Sequence, residues 1–378
     1  MRIQKFKAFA SGGNALTRAL NAVCAYFTMF PLDFPLDLFK RYAKRTEWVL
    51  DPFCGRGTTN FAARMVGMPS VGIDSSPVAA AIAQAKVVHA PFESVLQTAE
   101  DILKEPGKPV QIPKGKFWKR AYSESTLSQI CKLRESFLED CSDPARIMLR
   151  AILLGALHGP LNKGEATYLS NQCPRTFAPK PSYAVRFWKE RALYPPAIDV
   201  LEVVRRRAKW YLSEQLEPTD GIVINSDSRA VVLDDLPHKF SWVVTSPPYY
   251  GLRTYIPDQW LRNWFIGGPS SVPYEQRQED MNHSDPDDFA KQLGQVWSKA
   301  ASASTRRARL VCRFGAIHDR KTDPLTIIKK SFQDSGWRIT TLRAAGNASN
   351  GKRQAQQFGI KDHKAPRQEY DVYAVREC

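Results

Sequence analysis

Nine residues from Thr245 to Arg253, Thr-Ser-Pro-Pro-Tyr-Tyr-Gly-Leu-Arg, have types and spacing suited to chemistry. They close an apolar run of Phe240, Trp242, Val243 and Val244. Proline removes ladder donors, so a buried strand cannot continue through Pro247 and Pro248. The strand is expected to stop at Ser246, at a carboxyl end, where open α/β sheets place their ligands. The two prolines stiffen the turn and hold the Ser246 hydroxyl and the Ser246 and Pro247 carbonyls outward as acceptors. Tyr249 supplies a flat face beside them. Acceptors next to an aromatic plane suit a planar base with an exocyclic amino group. The competing reading is an ordinary strand exit with a core tyrosine.

A second motif matches the first. Trp48, Val49 and Leu50 form a short apolar run ending in Asp51-Pro52-Phe53-Cys54-Gly55-Arg56-Gly57-Thr58-Thr59. A small-residue helical stretch, Asn60 to Met65, precedes Ser70 to Asp74, and the whole implies strand, glycine turn, helix and strand. Gly55 and Gly57 permit a tight turn and a close backbone approach to a ligand. Asp74, about twenty residues beyond the turn, stands where such units hold ribose hydroxyls. The pattern Gly-x-Gly-x-x-Gly is incomplete: Thr58 and Thr59 stand where the third glycine would fall, and no Walker lysine follows. A ligand with adenosine and no pyrophosphate fits these residues better than a dinucleotide.

Asp51 to Thr59 together with Thr245 to Gly251 resembles the amino-methylating DNA methyltransferases, which modify cytosine N4 or adenine N6. The likeness spans roughly residues 24–90 and 220–378. It implies an α/β fold: a Rossmann-like class I methyltransferase sheet with a C-terminal antiparallel hairpin and a largely helical insertion. It implies S-adenosylmethionine as cofactor, held by Phe30, Asp51, Pro52, Phe53, Cys54, Gly55, Gly57, Thr58, Thr59, Asp74, Ser75 and Asp227. In the family, the segment like Tyr26 to Pro31 walls the methionine end of the cofactor. Asp227, ending a third strand Ile224 to Asp227, would meet the adenine amino group. Ser246, Pro247, Pro248 and Tyr249 become the catalytic set that holds a flipped base in double-stranded DNA. Serine before Pro-Pro resembles the cytosine enzymes more, since adenine enzymes usually carry Asp or Asn there. Cytosine N4 is thus the expected target and adenine N6 the alternative. An RNA amino-methyltransferase and a non-catalytic DNA-binding scaffold remain further alternatives. A cognate restriction or defence nuclease would be a natural partner.

Composition sets limits. A chain of 378 residues can bury one large core or two smaller ones. A formal charge of +16 favours a polyanion, most commonly nucleic acid, or else marks a generally basic surface. Seven cysteines, with no CxxC pair and no metal spacing alongside six histidines, predict no metal site. Met1 to Phe30, interrupted by Gly12, Gly13, Asn14 and Arg18, lacks a secretion signal's apolar core. No apolar stretch is long enough to span a bilayer. The expected location is the cytoplasm, at the nucleoid.

The elements that must position both motifs are expected as follows. Residues 1–90 hold the cofactor half, opening with two short helices at 14–30 and 35–45. Pro77 starts a helix running through Val88. Residues 91–218 form a mainly helical insertion, the candidate target-recognition region, with Ile147 to Leu157 as its buried helix. Residues 219–378 return to the sheet, with strands at Arg309 to Phe314, Trp337 to Leu342 and Tyr370 to Val375, and a helix at Leu325 to Gln333. The stretch Tyr168 to Pro181, running on through Tyr183, Arg186, Phe187, Trp188 and Lys189, is expected as an extended loop because of its three prolines. Its aromatics and cations suit bases and phosphates, and Asn171 and Gln172 suit base edges. An ordinary packed loop is the competing reading. Arg205 to Arg207 are expected on a solvated helix face. Candidate DNA contacts are Arg175, Lys180, Arg186, Arg253, Tyr255, Lys352 and Arg353. The last two lie in Ala344 to Gln368, a connection rich in Gly, Asn, Gln, Lys and Arg.

Overall fold

The computed structural model describes residues 18–26, 31–161, 165–172, 180–214, 216–236, 238–251, 259–272, 281, 285–317, 323–346 and 366–377. Seven strands form one sheet: β1 (Trp48–Asp51), β2 (Ser70–Asp74), β3 (Gly221–Asn225), β4 (Phe240–Thr245), β5 (Ser304–Ile317), β6 (Trp337–Gly346) and β7 (Pro366–Arg376). Their order across the sheet is β3-β2-β1-β4-β5-β7-β6. The pairs from β3 through β5 are parallel, whereas β7 lies antiparallel between β5 and β6. From β1 the chain moves outward to β2 and β3, then returns to place β4 on the other flank of β1. The strand order therefore reverses between β1 and β4, and in open α/β sheets ligands bind at such a switch point.

Alternating side chains send the apolar residues of β1, β4 and β5 to two separate cores. Val49, Trp242, Val244 and Val311 join one cluster, with α1 (Asp33–Tyr42), α2 (Thr58–Met65) and α3 (Pro77–Val87). Leu50, Val71, Val243, Leu310 and Cys312 join the other, with α11 (Pro286–Ser302) and α12 (Pro324–Ser331). Pro77 occupies the first turn of α3 and the Ser76 hydroxyl caps it, as the sequence indicates. Helix α11 has no counterpart in the expectations drawn above. Its signals are present: an Asp285 cap, Pro286 in the first turn, and Phe289, Leu293, Val296, Trp297 and Ala300 along one buried face.

Among the described residues between α3 and β3 lie six further helices: α4 (Phe92–Lys104), α5 (Lys116–Ala121), α6 (Glu124–Glu139), α7 (Pro144–Ala156), α8 (Pro181–Glu190) and α9 (Val200–Tyr211). They share the first cluster's core with α1 to α3. The α7 helix packs on α3 and α4. An aromatic group couples these helices to α10 (Trp260–Phe265). Trp118 and Phe117 of α5 meet Trp260 of α10, at 5.6 and 4.9 Å between ring centroids, and Phe117 meets Trp188 of α8 at 5.6 Å.

Four expectations are corrected. Within 14–30 the described residues form only a 3-10 turn, Ala19–Ala22, rather than a helix. Residues 181–190 are helix α8 instead of extended loop, because Pro181 sits in the first turn, where proline is pre-organised for a helix. Asn171 and Gln172 do not present their amides as base readers: Asn171 is 2% exposed and donates from Nδ2 to the Arg120 carbonyl, and Gln172 Oε1 accepts from the Leu161 amide. Arg207 is buried rather than solvated, donating to the Thr167 carbonyl while its guanidinium lies 4.5 Å from the Tyr168 ring centre. Among the described residues no helix is long and apolar enough to cross a membrane.

Candidate methyl-transfer site

Parallel pairing of β1 and β4, with Leu50 opposite Val243, brings the carboxyl ends of the two motif strands side by side. The strands end at Asp51 and Thr245, and these two residues touch: the Thr245 hydroxyl donates to Asp51 Oδ1 at 2.6 Å. The same oxygen accepts from the Phe53 amide at 3.1 Å, which sets the first bend of the glycine turn. Both Asp51 and Thr245 are fully buried. Burial lifts the Asp51 carboxyl to about 6, against the lowering effect of the Thr245 hydrogen bond. Asp51 thus joins the bases of the two loops from beneath.

This carboxyl has a consequence for stability. Its folded pKa lies above the unfolded value of 3.8, so its contribution is fully present below about pH 4 and is lost as pH rises to about 6. The loss is of order 3 kcal/mol. Asp51→Asn keeps an acceptor for Thr245 and Phe53 and removes the titration. Urea unfolding at pH 4.5 and 7.5 should show the wild type losing more stability across that interval than the variant; equal losses would contradict the assignment.

The glycine turn is held from the next strand. Asp74 Oδ2 accepts from the Gly55 amide at 2.9 Å, and Asp74 Oδ1 from the Ser76 amide at 2.9 Å. Gly55 adopts φ +51°, and a side chain there would meet nothing within 4 Å. Gly57 adopts φ +75°, but a Cβ on it would sit 2.9 Å from the Ala83 Cβ of α3. Gly57 therefore serves helix packing, whereas Gly55 leaves open space over the turn. Pro52, Cys54, Thr58 and Thr59 are buried, Phe53 and Asp74 are half-buried, and Ser75 is exposed. Asp227 lies two residues past β3, and its carboxylate is engaged by Arg229 in a two-oxygen ion pair that holds its pKa below the usual range.

Pro247 is buried, while Ser246, Pro248 and Tyr249 are half-buried. The Tyr249 ring packs edge-on to Phe314 of β5, with 6.1 Å between centroids. Its hydroxyl donates to Glu369 Oε1 of β7 at 2.6 Å. Burial, reinforced by the Glu369 charge, keeps this phenol protonated. Lys180 and Arg186, at the start and along the outer side of α8, are exposed. Phe30, Arg175, Arg253, Tyr255, Lys352 and Arg353 lie outside the described residues.

Sequence reasoning gave no role to Arg56, Thr245 or Glu369. Arg56 points inward from between the two glycines, donating to the carbonyls of Asn21 at 2.7 Å and Cys24 at 3.2 Å. Lys86 of α3, fully buried, donates to Asn21 Oδ1 at 2.8 Å. Tyr26 donates to the Ser76 hydroxyl at 2.9 Å. Asn21, Cys24 and Tyr26 are thereby tied to the glycine turn and to α3. A charged residue between two glycines was the available signal for Arg56. Thr245 opens the Pro-Pro motif without any local sign of its contact to Asp51, and nothing local marks Glu369. An open groove lined by His89, Glu93, Gln97, Asp101 and Arg146 shares no residue with this site.

The strand order, the closing antiparallel strand and the paired loops at the switch point define a class I methyltransferase fold. More particularly, residues 9–85 match the family model of the N6/N4 DNA methylases, so the resemblance carried by Asp51 to Thr59 stands over that stretch. No curated protein matches the chain. Among solved structures it is similar to the rRNA methyltransferase aviRa from Streptomyces viridochromogenes, with 12% identity, coverage of 95% of this chain and 92% of that one, and a TM-score of 0.37. It is also similar to the magnesium protoporphyrin IX methyltransferase from Synechocystis PCC 6803, with 10% identity, coverage of 97% and 87%, and a TM-score of 0.33. An rRNA methylase from Streptococcus thermophilus shows 7% identity, coverage of 93% and 100%, and a TM-score of 0.34.

Proposed function

We propose that this chain transfers a methyl group from S-adenosylmethionine to the exocyclic N4 of cytosine in double-stranded DNA, with the target base turned out of the helix. The observation that carries the reading is the Thr245–Asp51 hydrogen bond, which ties the acceptor loop to the glycine turn at the switch point. The residues present fit the cofactor: Gly55 leaves room over the turn, and the Asp74 carboxylate stands at the tip of the adjacent strand. When bound, S-adenosylmethionine supplies an electrophilic methyl group.

The chain's own residues prepare the amine. Its lone pair is delocalised into the base ring and is a poor nucleophile. The Ser246 hydroxyl and the Pro247 carbonyl accept its two hydrogens, favouring a tetrahedral nitrogen with a localised lone pair. The same acceptors stabilise the positive charge that develops there. Turning the base out costs a few kcal/mol, and stacking on Tyr249 returns roughly 1–3 kcal/mol. The product proton leaves to water.

Adenine N6 is the second reading, because these acceptors grip either amino group; Ser246 favours cytosine by resemblance. The helical stretch 91–218 is the proposed target-recognition region, with Lys180 and Arg186 on phosphates. A nuclease that cuts the unmethylated sequence is the partner such a modification would serve, at the nucleoid. DNA affinity should fall roughly 40-fold between about 50 and 200 mM salt if about three phosphates are neutralised; a flat response would remove phosphates from the interface. The reaction itself is tested by supplying methyl-labelled S-adenosylmethionine with unmodified DNA or RNA and identifying the labelled nucleoside by mass spectrometry. N4-methylcytosine from DNA is expected. N6-methyladenine would select the second reading, label confined to RNA would overturn the DNA assignment, and no label would overturn both readings.

A further inference from the structure

Glu369 is 120 residues from Tyr249 in the chain and belongs to the strand that closes the sheet, yet its carboxylate meets the Tyr249 hydroxyl at 2.6 Å. Its two cross-strand partners are glycines, Gly315 of β5 and Gly346 of β6. Neither has a side chain to hem in Glu369, which leaves it room to bend toward the loop after β4. Asp371, two residues further along β7, takes both arms of Arg313, at 2.7 and 2.9 Å. Arg313 lies close enough to feel Glu369 and Tyr249 as charges, but its fork is committed to Asp371. The Glu369 oxygen goes to the phenol, in a short charge-assisted bond. Phe314 bounds the ring along one edge, and Glu369 fixes the far end.

We propose that Glu369 is a positioning residue for methyl transfer, setting through Tyr249 the orientation of the face on which the base stacks. The proposal rests on the reading of Ser246 to Tyr249 as a base pocket. A ring held at one edge and at its hydroxyl has a single orientation, and alignment of the base against the methyl donor depends on it.

The test is a double-mutant cycle with Tyr249→Phe and Glu369→Ala in the full chain, read as kcat, as KM for DNA and as urea midpoint. Each single variant should lower kcat about tenfold, with KM and S-adenosylmethionine affinity held within about twofold. The double variant should also fall about tenfold, not about a hundredfold, because Tyr249→Phe, which also removes the hydroxyl's contact with Ser246, already removes the contact that Glu369→Ala breaks. Glu369→Gln, which keeps an acceptor oxygen, should retain at least about a third of the turnover. Additive losses, or wild-type turnover in Glu369→Ala, would overturn the proposal. The urea midpoints report the same contact without activity. A wild type that methylates nothing, with the stability coupling intact, would overturn the base-pocket reading and with it the role of the contact. An active wild type with additive kcat losses would overturn the role of Glu369 alone.

Discussion

Exchanging Tyr249 for alanine is expected to lower turnover roughly 5- to 150-fold, the equivalent of the 1–3 kcal/mol that one base–aromatic stack contributes. S-adenosylmethionine affinity should stay within about twofold of wild type, because the turn proposed to face it is held by Asp74 and Asp51 from β2 and β1. Tyr249→Phe removes only the hydroxyl that Glu369 accepts from, whereas truncation removes the ring face as well, so the loss should exceed the roughly tenfold of Tyr249→Phe and fall in the upper part of that range. Single-turnover rates on DNA, set beside a cofactor titration, separate the two effects. Equal losses in rate and cofactor affinity would mean that Tyr249 shapes the donor side or the core, and the stacking role would fail.

The second large effect concerns the two glycines of the turn, which should fail in different ways. Gly57→Val imposes a branched side chain on a left-handed backbone and drives its Cβ to 2.9 Å from Ala83. Left-handed geometry costs roughly 1–2 kcal/mol, and overpacking about 1–3 kcal/mol more, so unfolding stability should drop by about 3 kcal/mol. Cofactor binding should fall with it, since α2 and α3 must part at the base of the turn. Gly55→Ala meets no neighbour, and only the backbone cost of about 1 kcal/mol applies. Its methyl group would nonetheless stand in the space assigned to the cofactor, so affinity should fall by more than its stability cost accounts for. Urea unfolding and cofactor titration of both variants check this. A Gly55→Ala protein that binds S-adenosylmethionine normally would move the ligand away from that face of the turn.

Both motif strands were legible because their ends are punctuated by residues with few conformational options. Pro247 and Pro248 stop β4 at Thr245, one residue before the expected Ser246, and Gly55 and Gly57 turn the chain after β1. The late hairpin was implied by the family resemblance, and its last strand takes the antiparallel place beside β5. What escaped depends on contacts between distant segments. The Thr245 hydroxyl gains its meaning only when β1 lies beside β4, and Glu369 gains its own only when β7 enters the sheet. Asn171 and Gln172 have the composition of base readers, but backbone groups at Arg120 and Leu161 claim their amides. Helix α11 has its cap at Asp285 and its buried face written locally, yet no expectation was drawn for it.

The central claim is that the Gly55 turn and the Ser246 loop are two walls of one pocket. A crystal structure of the chain with S-adenosylhomocysteine tests it directly. The sulfur is predicted to lie over the carboxyl ends of β1 and β4, on the side from which a methyl group would face Ser246 and Tyr249. A ligand seated elsewhere on the molecule, or one whose sulfur points away from Ser246, would contradict the account.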